Sequence, residues 1–319
     1  MGEPVARIAV IGELNLDLIV TGAPRLPTPG EEVIVGGMEL TLGSSSAILA
    51  AQLARLGDSV LFVSKVGGDD FGRRALEFCR GCGVGAEAIA VDKSIATGLT
   101  ISIAVEGERA QLTVMGCIEE MRLGDVDFSL LEGQDHLHIS SFYLQRNLRP
   151  DIGRIFARAK GLGLTTSLDT GWPHEGETNG DLTACWPHLD VFLPNEAEAR
   201  HLSGRPTVEE ALDWLAERVP LAVVKLGADG ALARRRGETV RRPAYAVEVV
   251  DTTGAGDSFN GGFLHAYLAG RGLAECLDLG LACGALSIRA PGGTTSQADL
   301  EEAERFLRSA PRLRPRPRG

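Results

Sequence analysis

The chain predicts an α/β fold with a mostly parallel central sheet and a second, smaller sheet set apart from it. Three observations carry that reading. Short β-branched runs at 7–11, 60–66, 135–140, 164–168, 191–193 and 221–225 alternate with segments of helical period. Two stretches, 18–42 and 99–115, hold several short strands with no helix between them, so they do not join a parallel sheet easily. Near the far end, a β-branched run at 244–250 leads into Asp251-Thr252-Thr253-Gly254-Ala255-Gly256-Asp257, and Phe259, Phe263, Ala266 and Tyr267 then recur at helical spacing. That last stretch predicts strand, glycine turn, helix start.

The glycine turn is the chemical centre. Gly254 and Gly256 tolerate backbone angles other residues avoid and let a ligand approach the main chain. The first turn of a helix has N–H groups without intrahelical partners, and with the helix dipole they form an anion site. Asp257 stands beside it, favoured in its ionised form and able to take a proton. An anion cradle with an adjacent base is what phosphoryl transfer to an alcohol requires. A turn with Asp257 as a plain cap is the competing reading.

Composition sets the class. The chain has 319 residues, 44% hydrophobic content and a formal net charge of −11, with a mean hydropathy of +0.03. That is a globular protein with room for one large core or two domains, and its acidity argues against a nucleic-acid partner. No apolar run is long enough to span a membrane and no signal peptide is evident, so the cytoplasm is the default location. Cys79 and Cys82 form a lone Cys-x-x-Cys, and His136 and His138 alternate along a strand without acidic or cysteine ligands nearby. Neither pattern reads as zinc. The basic end, 312–318, reads as a frayed tail.

In chain order, strand 7–11 runs into Gly12-Glu13-Leu14-Asn15-Leu16-Asp17. In an extended segment Asn15 and Asp17 point to one side, where an amide and a carboxylate suit vicinal hydroxyls; a turn pair is the alternative. Residues 43–46 open a helix to Leu56, stopped by Gly57, with Ile48, Leu49, Leu53 and Leu56 on one face and a serine as its cap. Strand 60–66 ends at Gly67-Gly68-Asp69-Asp70-Phe71-Gly72, where Asp69 reads as turn and cap chemistry. Arg109 reads as a solvated arginine of the second excursion, and His174 and Glu175 fall in a loop. A helix spans 151–160. Asp169, at the carboxyl end of the next strand, reads equally as a ligand for metal or substrate and as a turn residue.

After strand 191–193, Pro194 enters a helix that puts Asn195 and Glu198 on one face. The pair suits the water shell of Mg²⁺ on phosphates, or an ordinary N-terminal cap. Strand 221–225 leads into Leu226-Gly227-Ala228-Asp229-Gly230, a turn able to seat phosphates, with Lys225 either pairing to one or forming a salt bridge. A small-residue helix at 279–290 and a closing helix at 299–307 complete the chain.

The stretch from Asp251 to Phe263 resembles the C-terminal signature of the PfkB, or ribokinase-like, carbohydrate kinases. The resemblance extends from Gly12 to about Ser296 through Asn15-x-Asp17, Ala54-Arg55-Leu56-Gly57, the Gly67–Gly72 segment, Asn195-x-x-Glu198 and Leu226-Gly227-x-x-Gly230. It departs at the first signature, where Leu42 replaces a glycine and Ile48 an asparagine that commonly holds a sugar hydroxyl. The resemblance implies a three-layer α/β/α domain over 1–13, 43–96 and 117–309, a β lid over 14–42 and 97–116, and a disordered tail over 310–319. It implies ATP and Mg²⁺ as cofactors, K⁺ near Asp251, a sugar or sugar-acid substrate, and a homodimer paired through the lid. Asp257 becomes the catalytic base, and the N–H groups of Gly254, Ala255 and Gly256 the anion hole. Asn15, Asp17, Gly43, Ser44 and Ser45 go to the acceptor, and Asn195, Lys225, Gly227, Gly230 and Thr253 to the nucleotide. Asn195 and Glu198 hold Mg²⁺ through water.

No Gly-x-x-x-x-Gly-Lys-Ser/Thr occurs, and Phe259 stands where a third dinucleotide-fingerprint glycine would fall, so P-loop and dehydrogenase readings lose. A nucleoside kinase and a non-catalytic sensor of the same fold are the alternatives that remain.

Overall fold

The computed structural model describes residues 5–105, 108–173 and 179–313. The Arg109 side chain, His174, Glu175 and residues 314–319 lie outside the described residues.

The larger sheet is built from β1 (Arg7–Ile11), β4 (Ser59–Gly67), β5 (Ile89–Asp92), β8 (His136–Ile139), β9 (Thr165–Leu168), β10 (Val191–Phe192), β11 (Leu221–Lys225), β12 (Ala231–Arg235) and β13 (Glu238–Arg242). The smaller takes β2 (Asn15–Thr21), β3 (Gly37–Leu42), β6 (Gly98–Val105) and β7 (Glu108–Val114). Helices are α1 (Ser45–Arg55), α2 (Asp70–Gly81), α3 (Ile152–Gly161), α4 (Gly180–Thr183), α5 (Glu196–Ser203), α6 (Val208–Ala216), α7 (Ala255–Leu268), α8 (Leu273–Ser287) and α9 (Leu300–Ser309).

Among the described residues the large sheet runs β13-β12-β11-β10-β9-β8-β1-β4-β5. It is parallel from β5 to β11, and β12 and β13 turn back antiparallel at one edge. Strand residues alternate between two cores, as a sheet covered on both faces requires. Ile8, Val10, Phe62 and Val223 pack with α1, α7 and α8. Ala9, Ile11, Val63 and Val224 pack on the other face with α3, α5 and α6. The result is the three-layer α/β/α arrangement with a mostly parallel sheet.

Both excursions form one separate sheet, ordered β3-β2-β6-β7. Its central pair, β2 and β6, is parallel, with Asn15 opposite Gly98.

Three expectations are corrected. The run at 244–250 is not a strand. Pro243 cannot extend the β13 ladder, and beyond it the chain makes one bridge, Tyr245 with Arg312. Residues 310–313 are not frayed: Ala246 N–H donates to Pro311 O at 2.9 Å and Leu313 N–H to Ala244 O at 2.7 Å. The last large helix begins earlier than read, at Leu273, and the β12–β13 hairpin was not anticipated.

His136 and His138 are wholly buried in a hydrogen-bonded chain of hydroxyls. His136 bonds Thr165 Oγ1 and Ser167 Oγ at 2.7 Å each; His138 bonds Ser167 Oγ at 2.6 Å and Ser140 Oγ at 2.8 Å. Burial pushes both imidazoles down to about 3, so they are neutral. Cys79 is buried, its thiol pushed up to about 12. Among the described residues no group of three His, Cys, Asp or Glu side chains is arranged to hold a metal, and no helix is long and apolar enough to cross a membrane.

Candidate active site

The site lies where the glycine turn opens α7, beyond the carboxyl ends of the parallel strands. Gly254 caps the helix in the left-handed region at φ 70°, a conformation a side chain resists. A Cβ there would also lie 2.9 Å from both Gly293 Cα and Ile48 Cγ2. Ile48, from α1, therefore packs beneath the helix mouth, and its apolar side chain holds the turn rather than a sugar. Gly256 lies beside Lys225, whose Nζ would stand 3.5 Å from a Cβ at that position. Ala255 N–H turns back to Thr252 O at 3.4 Å, which makes it the weakest donor of the three expected in the anion hole. Thr253 donates from N–H and hydroxyl to Asp251 Oδ1, at 2.9 and 2.8 Å, while Gly292 N–H reaches Asp251 Oδ2 at 2.9 Å. Asp251 thus braces the turn against the loop after α8.

Asp257, half-buried in the first turn of α7, has its carboxyl pushed up to about 7. Loss of water is the main cause, and the negative charges of Asp169 and Glu13 add to it, opposed by Lys225 and by a hydrogen bond from Ser45. A group poised there accepts a proton near neutral pH.

Lys225, Asp169 and Asn260 form a buried knot behind it. Lys225 Nζ donates to Asp169 Oδ2 at 2.5 Å, and Asn260 Nδ2 to the same oxygen at 2.6 Å. Burial works against the charge on both ions, but each holds the other ionised: Asp169 sits below the usual carboxylate range and Lys225 above the usual amine range. The salt bridge foreseen for Lys225 as an alternative is therefore present.

Asn195 and Glu198 come together as a reciprocal helix cap. Asn195 N–H donates to Glu198 Oε2 at 2.8 Å, Asn195 Nδ2 to Glu198 Oε1 at 2.7 Å, and Glu198 N–H to Asn195 Oδ1 at 2.9 Å. Burial, then the charge of Asp169, pushes Glu198 up to about 7. Three carboxyl groups share one lysine here, and the unrelieved negative charge fits a nearby divalent cation held mainly through water and phosphate oxygens.

On the acceptor side, Asn15 Nδ2 donates to Asp17 Oδ1 at 3.1 Å. Gly43 lies over the pair: a Cβ would sit 2.3 Å from Asp17 Oδ1 and 2.6 Å from Asn15 Nδ2. Ser44 caps α1, accepting from Ala47 N–H at 3.0 Å, with a left-handed φ of 74°. Its hydroxyl donates to Glu13 O at 2.5 Å. Glu13, not anticipated as a site residue, is buried beneath these serines. Its carboxylate accepts from Ser45 N–H at 3.0 Å, Ser46 Oγ at 2.9 Å and Ser141 Oγ at 2.8 Å. An acid ending an apolar strand run was the available signal. Ser45 therefore joins the acceptor pocket to Asp257.

Gly227 and Gly230 belong to the wall of an apolar cavity of about 370 Å³ that reaches Lys225, Thr252, Ala255 and Gly256. Its depth is lined by Val247, Phe259, Leu281 and Ile288. A slot of this size with apolar walls suits a planar ring. Asp69, as expected, is a cap: it accepts from Gly72 N–H at 2.8 Å and Thr97 Oγ1 at 2.7 Å.

Residues 5–300 match the pfkB family carbohydrate kinase. The chain belongs to the PfkB family. This carbohydrate kinase is 29% identical to the 2-dehydro-3-deoxygluconokinase of Thermoproteus tenax, over 93% of this chain and 96% of that protein. Its fold resembles that of Arabidopsis thaliana ribokinase complexed with ribose and ATP: TM-score 0.81, 26% identity, covering 96% of this chain and all of the other. A structure described as a ribokinase II from E. coli, in complex with ATP and Mg²⁺, superposes with a TM-score of 0.85 at 26% identity, over 95% of this chain and 99% of the other. The PfkB protein described here is an ATP-dependent carbohydrate kinase of the ribokinase fold.

Proposed function

We propose that the chain transfers the γ-phosphoryl group of ATP to the primary hydroxyl of a sugar or sugar acid. The observation behind this is Asp257, pushed up to about 7, set between the α7 mouth and the Ser45 side of the acceptor pocket. Asn15 and Asp17 hold vicinal hydroxyls, with Gly43, Ser44 and Ser45 shaping the pocket floor. Asp257 takes the proton of the attacking hydroxyl. Main-chain N–H groups of Gly254 and Gly256, helped by Ala255, meet the charge on the moving phosphoryl group, with Lys225 alongside. Asn195 and Glu198 orient the water shell of Mg²⁺, which when bound neutralises and aligns the phosphates. A monovalent cation, K⁺, belongs near Asp251. Because ATP is the donor, the cytoplasm is the proposed compartment. Exposed Met38, Leu112 and Val114 on the small sheet support its pairing with a second copy.

The test is ADP release with ATP and a panel of sugars, sugar acids and nucleosides. Turnover with a sugar or sugar acid supports the proposal; turnover with nucleosides alone gives the site to a nucleoside kinase. Asp257→Asn should lower kcat by about 10²–10⁴-fold, the worth of a general base. A folded variant that keeps most of its activity removes Asp257 from the role. Activity with K⁺ against choline, and sedimentation of the purified chain, test the cation and the dimer.

A further inference from the structure

The apolar slot beside Lys225 has a wall that no catalytic motif contributes. The chain returns after α9, and residues 310–313 lie against 244–246 as a short antiparallel bridge. Leu313 then faces the slot together with Val247 and Val249. Leu313 is 38% and Val249 55% exposed, so among the described residues two large apolar side chains stand partly open at the rim of the slot.

The segment is bolted rather than draped. Arg312 Nη1 donates to Pro243 O at 2.9 Å, and its Nη2 to Tyr245 Oη at 2.7 Å and Asp278 Oδ1 at 2.5 Å. The guanidinium also lies 4.3 Å from the centre of the Tyr245 ring. Asp278 belongs to α8, which forms the opposite wall of the slot through Leu281 and Ala285. Arg312 thus links the segment, Tyr245 and α8 through one fork of rigid donors, which a lysine cannot reproduce, while Arg242 Nε also lies 3.3 Å from Asp278 Oδ1.

We infer that Leu313 is a base-contacting residue of the nucleotide site and that Arg312 is its positioning residue, so that the C-terminal segment 310–313 sets affinity for the purine ring of ATP and ADP. The inference rests on the reading of this slot as the nucleotide site. Leu313 covers one face of the ring, and Arg312 holds Leu313 and Tyr245 at the right distance from α8.

The experiment measures ADP binding to the full chain by calorimetry, which needs no knowledge of the acceptor. Leu313→Ala removes apolar cover and Arg312→Lys keeps the charge but loses the fork; each should weaken ADP roughly tenfold. Ala285→Leu, which adds bulk from the α8 side, is the control on the slot itself and should block ADP. If Ala285→Leu blocks ADP while Leu313→Ala and Arg312→Lys both bind it within about twofold of the parent, the slot is the nucleotide site but the segment is no part of it, and the inference is overturned. If all three bind ADP as the parent does, the slot reading itself falls. Leu313 lies at the surface, so its variant separates loss of contact from loss of fold.

Discussion

Lys225 Nζ lies 2.5 Å from Asp169 Oδ2, and the pair joins the ends of β11 and β9 across β10. Both side chains are almost wholly removed from water. Asp169→Ala removes the carboxylate bonded directly to the buried ammonium group, leaving Glu198 and Asp257 as its charge partners, and should destabilise the fold by up to about 3 kcal/mol. Lys225→Met in the same background should recover much of that loss, because both charges are then gone. Urea unfolding of the two single variants and the double variant measures the coupling; simple additivity would contradict it.

Glu13 raises the proton affinity of Asp257 by its charge. As the proposed base, Asp257 works when deprotonated, so kcat/KM should rise with pH through about 7 and level off above. Glu13→Gln keeps the shape of the serine-lined socket and removes a negative neighbour. Ionised Asp257 is then easier to form, and the acid limb should move to lower pH. A limb that stays in place, or moves upward, contradicts the coupling of Glu13 to the base.

Stability against pH follows from two opposed pairs. His136 and His138 sit at about 3, below the unfolded value of 6.5, so the unfolded chain binds more protons and stability falls as pH drops below 6.5. Asp257 and Glu198 sit at about 7, above their unfolded values, so the folded chain binds more protons and their contribution grows as pH drops from 7 toward about 4. Between about 4.5 and 6.5 the two pairs nearly cancel, and Glu13, which burial also pushes up, adds a contribution that grows as pH falls, so the apoprotein should gain stability modestly toward acid in that window. Asp257→Asn removes one compensating group and should add a fall toward acid of about 1.4 kcal/mol per pH unit. Chemical unfolding at several pH values reads this slope.

Ile48 fills the space beneath Gly254 and Gly293; a Cβ on Gly293 would lie 2.3 Å from Ile48 Cδ1. Gly293→Ala should therefore destabilise the protein, and Ile48→Val, which deletes that methyl group but leaves Cγ1 at 2.8 Å, should relieve part of the clash. Ile48→Ala alone should cost about 2–4 kcal/mol through the cavity it leaves. Thermal unfolding of the single and double variants checks the pairing. Equal loss from Gly293→Ala in both backgrounds would mean that Ile48 is not the obstacle.

What the sequence made legible was local. The α7 mouth, the Asn195–Glu198 pair and the Asn15–Asp17 pair each lie within a few residues, so spacing alone brought them together. The β1 and β11 strands have the predicted bounds because continuous β-branched runs buried on both faces admit no other period. The knot of Asp169 with Lys225 and Asn260 joins residues 56 and 91 positions apart, and the Glu13–Ser141 bond spans 128. No local pattern records such partners. The run at 244–250 misled because β-branched residues suit any extended wall, and it was Pro243 that ended the ladder before it. Ile48 looked like a missing sugar ligand because its packing partners, Gly254 and Gly293, lie more than two hundred positions downstream.

Asn15 and Asp17 sit at the root of β2, and only Gly12, Glu13 and Leu14 separate that root from the rigid β1. We propose that the small sheet closes as a lever whose fulcrum lies next to this pair, the proposed holder of the acceptor hydroxyls. A tilt that sweeps its tip across many ångströms displaces the pair only slightly. Closure over the acceptor can then shut out solvent without dragging the bound alcohol out of line with its target.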